Sequence, residues 1–300
     1  MTTLADPWPD DLVRILAQRQ GAIFIGSGAA ASCSPRSDAH VQDKFPTWHE
    51  LVIDLASKCN LSEEDKNHVE TLLERHAYPL AAQVIVDEID RSEFGGLIRR
   101  NFDRRDLQPS DIYEQINLLD QPIVMTTNYD RMYERYWDEL APAASDPDGG
   151  LITRNYMQEA ASHVRSPSRV LLKLHGCVSD ADNVILSKSQ YHRARHDHAN
   201  FFRIVGALLL TRPTLFIGCG FMGDPDLEFL LEDATFMTDP GNPHYALVPR
   251  GRHQSETKAL RSTANVQLIE YDQLNENDHS AVQSLLAALV SRVDGARAID

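Results

Sequence analysis

The 300-residue sequence has only four cysteines, Cys33, Cys59, Cys177 and Cys219, and no two stand at the C-x-x-C spacing of a zinc ribbon or a redox motif. That excludes a cysteine-held zinc module, and a reduced cytoplasmic interior is the expectation. Basic charge is also short. Lys plus Arg number 29 against 44 Asp plus Glu, a formal charge of −15. Phosphates repel such a chain, which opposes broad, sequence-independent binding to nucleic acid or to an anionic membrane, while one phosphorylated ligand can still occupy a local pocket. Long apolar runs are missing. The longest, Ile204 to Leu210, falls far below the roughly 20 residues of a membrane span. Met1 to Asp10 is acidic and proline-rich, with no basic n-region or apolar h-region, so no signal peptide is expected. What remains is an ordinary globular mixture, 42% hydrophobic and 24% charged. Its length suits one large domain, or one domain carrying an insertion.

Along the chain, Asp11 to Arg19 puts Leu12, Ile15 and Leu16 on one helical face. Ala22 to Ile25 is too short and apolar for a helix. It reads as a buried strand running into a glycine turn, Gly26-Ser27-Gly28-Ala29-Ala30-Ala31. Residues 32–45 are polar and aperiodic, and predict a loop. From Pro46 to Asp103 the pattern is helical throughout, with helices expected from Pro46 and over 62–75, 78–90 and 93–102. Short apolar strands return at 123–126, 170–174, 214–217, 245–248 and 266–269. Helical segments flank them at 130–140, 198–210, 225–236, 253–262 and 279–293. This alternation predicts an α/β, Rossmann-like, mostly parallel sheet with helices on both faces and an inserted helical module. The expected division is a core of 20–45 and 119–275, an insertion of 46–118, and a C-terminal helix and tail of 276–300. Asp146 to Gly150 is the clearest exposed turn.

In such sheets ligands bind outside the carboxyl ends of strands. Four strand ends carry glycine or compact polar residues: Gly26-Ser27-Gly28, Thr127-Asn128-Tyr129-Asp130, His175-Gly176 and Gly218-Cys219-Gly220-Phe221. If those strands are neighbours, the four groups share one crevice. The first fits the G-x-G-x-x-G/A form, in which glycines let the backbone approach a pyrophosphate. The alternative is a tight strand-to-helix turn. Asn128 and Asp130 suit polar work at a strand end, or equally an Asx turn or helix cap. His175 is either structural or a general base suited to neutral pH. His192 and His196 stand at i,i+4, but the charge-rich stretch around them lacks a metalloprotease glutamate and predicts a solvated helix or loop, not a metal site. Asp224, Asp226, Glu228, Glu232 and Asp233 are expected on the first turn and solvent face of helix 225–236.

Taken in order, these segments resemble the sirtuin superfamily over about residues 20 to 250. The matching motifs are the glycine loop, Pro46-Thr47-Trp48, Thr127-Asn128-Tyr129-Asp130, Leu174-His175-Gly176 and Gly218-Cys219-Gly220. The likeness is greatest to bacterial sirtuin-like effector domains of antiphage defence, for which Phe45-Pro46-Thr47-Trp48-His49-Glu50-Leu51 and Gly220-Phe221-Met222-Gly223-Asp224-Pro225-Asp226 are typical. Two departures separate the sequence from protein-deacylating sirtuins. It lacks the four-cysteine zinc module. The segment that reads Pro-Asp-Phe-Arg there reads Pro46-Thr47-Trp48-His49 here.

The resemblance implies an NAD glycohydrolase that releases nicotinamide and ADP-ribose, with no metal and no cofactor beyond NAD as substrate. It implies Asn128 orienting water and the ribose hydroxyls, Asp130 holding the carboxamide, and His175 as the base. Gly26, Ser27 and Gly28 would cradle phosphate, while Gly218, Gly220 and Phe221 would line the adenosine side. Trp48 and Thr127 complete the expected binding set. It also implies homo-oligomers and a regulatory partner, such as a HerA-like ATPase or a nucleotide-sensing subunit. Three other readings stay open at this level: a catalytically silent NAD or ADP-ribose binder, a transferase or deacylase of the same fold, and a plain dehydrogenase. The helical insertion and the absent ribose-binding acid disfavour the last.

Overall fold

A computed structural model describes residues 6–36, 44–141, 150–220, 224–237, 241–273 and 279–299. Its strands are β1 (Ala22–Ile25), β2 (Ser34–Pro35), β3 (Leu107–Gln108), β4 (Ile123–Thr126), β5 (Ile152–Asn155), β6 (Val170–Lys173), β7 (Thr214–Ile217), β8 (His244–Pro249) and β9 (Val266–Tyr271). Seven of them form one sheet in the order β5-β6-β4-β1-β7-β8-β9. Every pairing in it is parallel. The remaining two, β2 and β3, make a small antiparallel pair.

The central strands read as continuous apolar runs because both their faces are covered. Successive residues alternate between two cores. Ile23, Ile25, Val124, Leu171, Leu215 and Ile217 face one, which is closed by the helices Asp10–Ala17, Asp111–Leu118, Met132–Glu139 and Ser280–Arg297. Ala22, Phe24, Ile123, Met125, Leu172 and Phe216 face the other, closed by Lys188–Asp197, Ala199–Thr211, Pro225–Met237 and Gln254–Thr263. This is the three-layer α/β arrangement that the strand–helix alternation predicts.

Between β1 and β4 the chain makes the helices Trp48–Lys58, Glu63–Glu74, Tyr78–Val86 and Arg91–Phe102. They share a third apolar cluster built on Leu51, Leu55, Leu73, Ile85, Phe94 and Ile98. Tyr129, Val184 and Leu186 join that cluster from the strand-end loops. An Arg99–Asp182 ion pair of 2.7 Å ties the last of these helices to the segment that follows His175. The helical module is therefore anchored over the carboxyl edge of the sheet. The helix 111–118 lies apart from it, with Ile112, Tyr113 and Ile116 in the first sheet-facing core.

Some expectations need adjustment. The turn after β1 does not run straight into a loop: Ser27–Ala31 forms a short helix first. Two residues of the expected loop 32–45 pair as β2, and 37–43 lie outside the described residues. So does the expected turn at 146–150, apart from Gly150. The edge strand β5 has no sequence signal, since three of its four residues are only partly buried. Its ladder is completed from one side only, by β6. Among the described residues no helix is long and apolar enough to cross a membrane.

Candidate active site

The four strand ends singled out in the sequence belong to β6, β4, β1 and β7, which are consecutive neighbours in the sheet. All four strands are parallel, so their carboxyl ends share one edge. Strand order reverses around β1: β4 lies on one side of it, and the chain returns to place β7 on the other. This is a topological switch point, where open α/β sheets place their ligands. A cavity of about 400 Å³ opens here, lined in part by Gly26, Ser27, Thr127, Asn128, Gly218 and Gly220. The helical module supplies the opposite wall through Trp48, Tyr78 and Phe102.

The two glycine loops touch each other. A Cβ on Gly26 would lie 2.3 Å from the Gly218 carbonyl oxygen, and one on Gly218, at φ +70°, would lie 2.6 Å from Ala29 N. Only glycine permits this approach. The backbone N–H groups of Gly26 and Gly28 donate to Ile217 O and Gly218 O, each at 2.9 Å. These two glycines therefore join β1 to β7. Gly28 lies beyond the first cavity and lines a second, of about 880 Å³, that shares Ser27 and the Phe45–Thr47 wall with it.

Thr126 sets the turn after β4. Its hydroxyl donates to Ile25 O at 2.7 Å and accepts from Asn128 N at 3.0 Å. The Asn128 amide then donates to Gly26 O at 3.0 Å, which commits its NH2 group to the glycine loop and turns Oδ1 the other way. Asp130 is buried, and its Oδ1 accepts from Met132 N at 2.9 Å, the Asx turn that the sequence admits. Burial raises the Asp130 pKa, and the nearby Lys173 ammonium only partly opposes it. That ammonium is itself buried, donates to the Asp130 carbonyl and pairs with Glu134 at 3.3 Å. Burial alone would lower the Lys173 pKa, but the Glu134 carboxylate, with Cys177 and Asp130, holds it above its ordinary value.

His175 is fully buried and does not itself line the cavity. Trp48 lies over it at a ring separation of 6.5 Å, and Tyr191 meets it edge-on at 5.0 Å. Its Nε2 faces the Asp224 carboxylate at 3.6 Å. Asp224 caps the start of its helix, as expected, but it lines the cavity and does not sit on a solvent face. Phe221 lies outside the described residues. Among the described residues no three His, Cys, Asp or Glu side chains come together as a metal site.

Residues 122–269 match the family model of the SIR2-like domain. Three curated relatives are each described as NAD(+) hydrolase ThsA. The protein of Acinetobacter baumannii (strain 532279) is 25% identical over 227 residues, covering 74% of this chain and 40% of the relative. That of Cytobacillus dafuensis is 23% identical over 269 residues, covering 89% and 48%. That of Bacillus cereus (strain MSX-D12) is 22% identical over 234 residues, covering 77% and 43%. The chain thus spans less than half the length of these relatives.

The segment that matches this model contains β4 to β8 and most of β9, and with them Asn128, Asp130, His175, Gly218 and Asp224. The β1 glycine loop and Trp48 come from outside it. Sequence reasoning missed Asp224, Tyr78 and Phe102 as lining residues. Asp224 stands six residues after Gly218, close enough to a strand end to have been found. Tyr78 and Phe102 reach the site through helix packing that no local pattern encodes.

Proposed function

We propose that this chain is an NAD glycohydrolase, cutting the bond between nicotinamide and ribose to give nicotinamide and ADP-ribose. The observation that carries the reading is the switch-point cavity, where Asn128 is fastened to the Gly26 carbonyl and Asp224, the carboxylate facing the buried His175, joins the lining. The names of the relatives support the choice of substrate. Nicotinamide leaves as a neutral molecule when the C1′–N electron pair passes to the pyridinium nitrogen, so the leaving group needs no protonation. The transition state resembles an oxocarbenium ion, as in glycoside hydrolysis. Asn128 Oδ1 orients the ribose hydroxyls and the attacking water. Asp130, with Oδ1 spent on its own turn, offers Oδ2 to the carboxamide. His175 receives the proton of the water. No metal or further cofactor takes part in this reading.

The cellular role that follows is NAD depletion in antiphage defence, within the cytoplasm. Control comes from homo-oligomerisation or a partner such as a HerA-like ATPase or a nucleotide-sensing subunit. One observation favours a second reading, a silent NAD binder: His175 is fully buried and does not itself line the cavity.

The test is nicotinamide release from NAD, followed by chromatography. Asn128→Ala and His175→Ala are each expected to lose about 100-fold or more, with wild-type circular dichroism. Near-wild-type turnover in both folded variants would overturn the assignments. Binding of NAD without release by the unaltered chain would establish the silent binder.

A further inference from the structure

The group that stands between His175 and the cavity is a carboxylate. The His175 side chain is 0% exposed, and that of Asp224 is 15% exposed. Asp224 lines the cavity together with Asn128 and Gly218, and its Oδ1 lies 3.6 Å from His175 Nε2. The other ring nitrogen, Nδ1, lies 3.5 Å from the Tyr191 hydroxyl. Two further lining residues feel the same charge. The Tyr129 hydroxyl and the Cys219 thiol are pushed up mainly by burial, and further by Asp224.

A carboxylate in this cavity opposes a ligand that carries two phosphates, unless it faces the ligand's one cationic part. In NAD that part is the pyridinium ring and, as its bond to ribose breaks, C1′ and the ring oxygen. We propose that Asp224, backed by His175, is a second carboxylate, beside the Asp130 assigned to the carboxamide, that faces the nicotinamide end of the substrate and selects the oxidised, cationic dinucleotide. The inference rests on the NAD-hydrolase reading. As the C1′–N bond breaks, its electron pair goes to nitrogen and the positive charge moves onto C1′, where Asp224 stabilises it. The water oxygen then bonds C1′, and the proton it sheds passes to the Asp224–His175 pair.

Asp224 also has a structural duty, because its Oδ1 accepts from Leu227 N at 3.2 Å at the start of the helix 225–237. Asparagine and serine cap helices as well as aspartate does. Asp224→Asn and Asp224→Ser therefore keep the cap and remove the charge, while Asp224→Glu keeps the charge. The probes are carba-NAD, which retains the pyridinium ring but not the labile bond, and NADH, whose ring is neutral. Calorimetry on the full chain should give a preference for carba-NAD that falls about tenfold in Asp224→Asn and Asp224→Ser and returns in part in Asp224→Glu. Nicotinamide release, as kcat/KM, should fall about 100-fold in the first two, with KM raised by no more than about tenfold and the rest of the loss in kcat. An unchanged preference in folded Asp224→Asn overturns the proposal and leaves the hydrolase reading standing. A wild-type chain that binds neither probe overturns the hydrolase reading itself.

Discussion

Replacing Lys173 by methionine would strand two carboxylates beneath the candidate site. Lys173 is 1% exposed, and its partners Glu134 and Asp130 are 6% and 4% exposed. Its ammonium pairs with Glu134 at 3.3 Å and donates to the Asp130 carbonyl. Methionine fills much of the same volume, so the change is chiefly one of charge. Arg131, at 4.0 Å from Glu134 and half exposed, is a weak substitute. Removing one member of a buried pair costs about 3–5 kcal/mol, because the other charge stays buried. Against a stability of roughly 5–15 kcal/mol for a domain, that loss is readily measured. Removing both charges, in Lys173→Met with Glu134→Leu, should cost about 2 kcal/mol less than the single change. Urea unfolding at pH 7, followed by circular dichroism, gives both numbers. A single-variant loss below about 1 kcal/mol, or a double variant as unstable as the sum of its parts, would refute the reasoning.

Gly26→Ala should weaken NAD binding and lower stability by roughly 2 kcal/mol, since its Cβ would meet the Gly218 carbonyl at 2.3 Å and backbone cannot step aside; an unfolding midpoint equal to wild type would contradict the contact. His244 is buried, accepts from Thr214 N at 3.1 Å through Nδ1, and has its pKa lowered by burial from 6.5 to about 4. The unfolded chain therefore binds the extra proton first, and stability is lost as pH falls from 6.5 towards 4, by about 3 kcal/mol in total. His244→Asn keeps an acceptor near the Nδ1 position and should flatten that acid limb in thermal unfolding measured across the same range.

Much of this architecture was legible because the central strands are short, apolar and bounded by glycine or polar residues. The strands 22–25, 123–126 and 214–217 fall where the sequence places them. β5 was not legible, since an edge strand with one neighbour needs no continuous apolar run. The convergence of Gly26, Asn128, His175 and Gly218 depended on strand order, which local pattern does not fix. Sequence alone also could not separate a glycine that approaches a ligand from one that approaches another loop. Gly26 and Gly218 turn out to press on each other. The acidic run after Gly220 looked like a solvent face because its spacing is helical. Asp224 sits at the cap, where the chain has not yet turned away from the cavity.

The manner of phosphate recognition follows from what lines the cavity. Among the described lining residues there is no lysine or arginine. The N–H groups of Gly26 and Gly28 already bond to β7 and its loop. If NAD binds here, its phosphate contacts fall to neutral donors such as the Ser27 hydroxyl, which lines the cavity, whereas the Thr47 hydroxyl already donates to Glu50 at 2.9 Å. The formal charge of −15 repels an anionic dinucleotide at long range. Salt screens that repulsion within about 10 Å at 0.1 M, but weakens a hydroxyl–phosphate contact little. Raising sodium chloride from 20 to 300 mM should therefore leave NAD affinity unchanged or tighten it by about twofold. A cation that clamps the pyrophosphate would produce the opposite slope. Arg252, whose guanidinium donates to the Gly220 carbonyl at 2.7 Å, stands nearest to that role. Should binding fall steeply with salt, and should Arg252→Gln abolish the slope, then phosphate recognition lies with that arginine and not with the neutral loop.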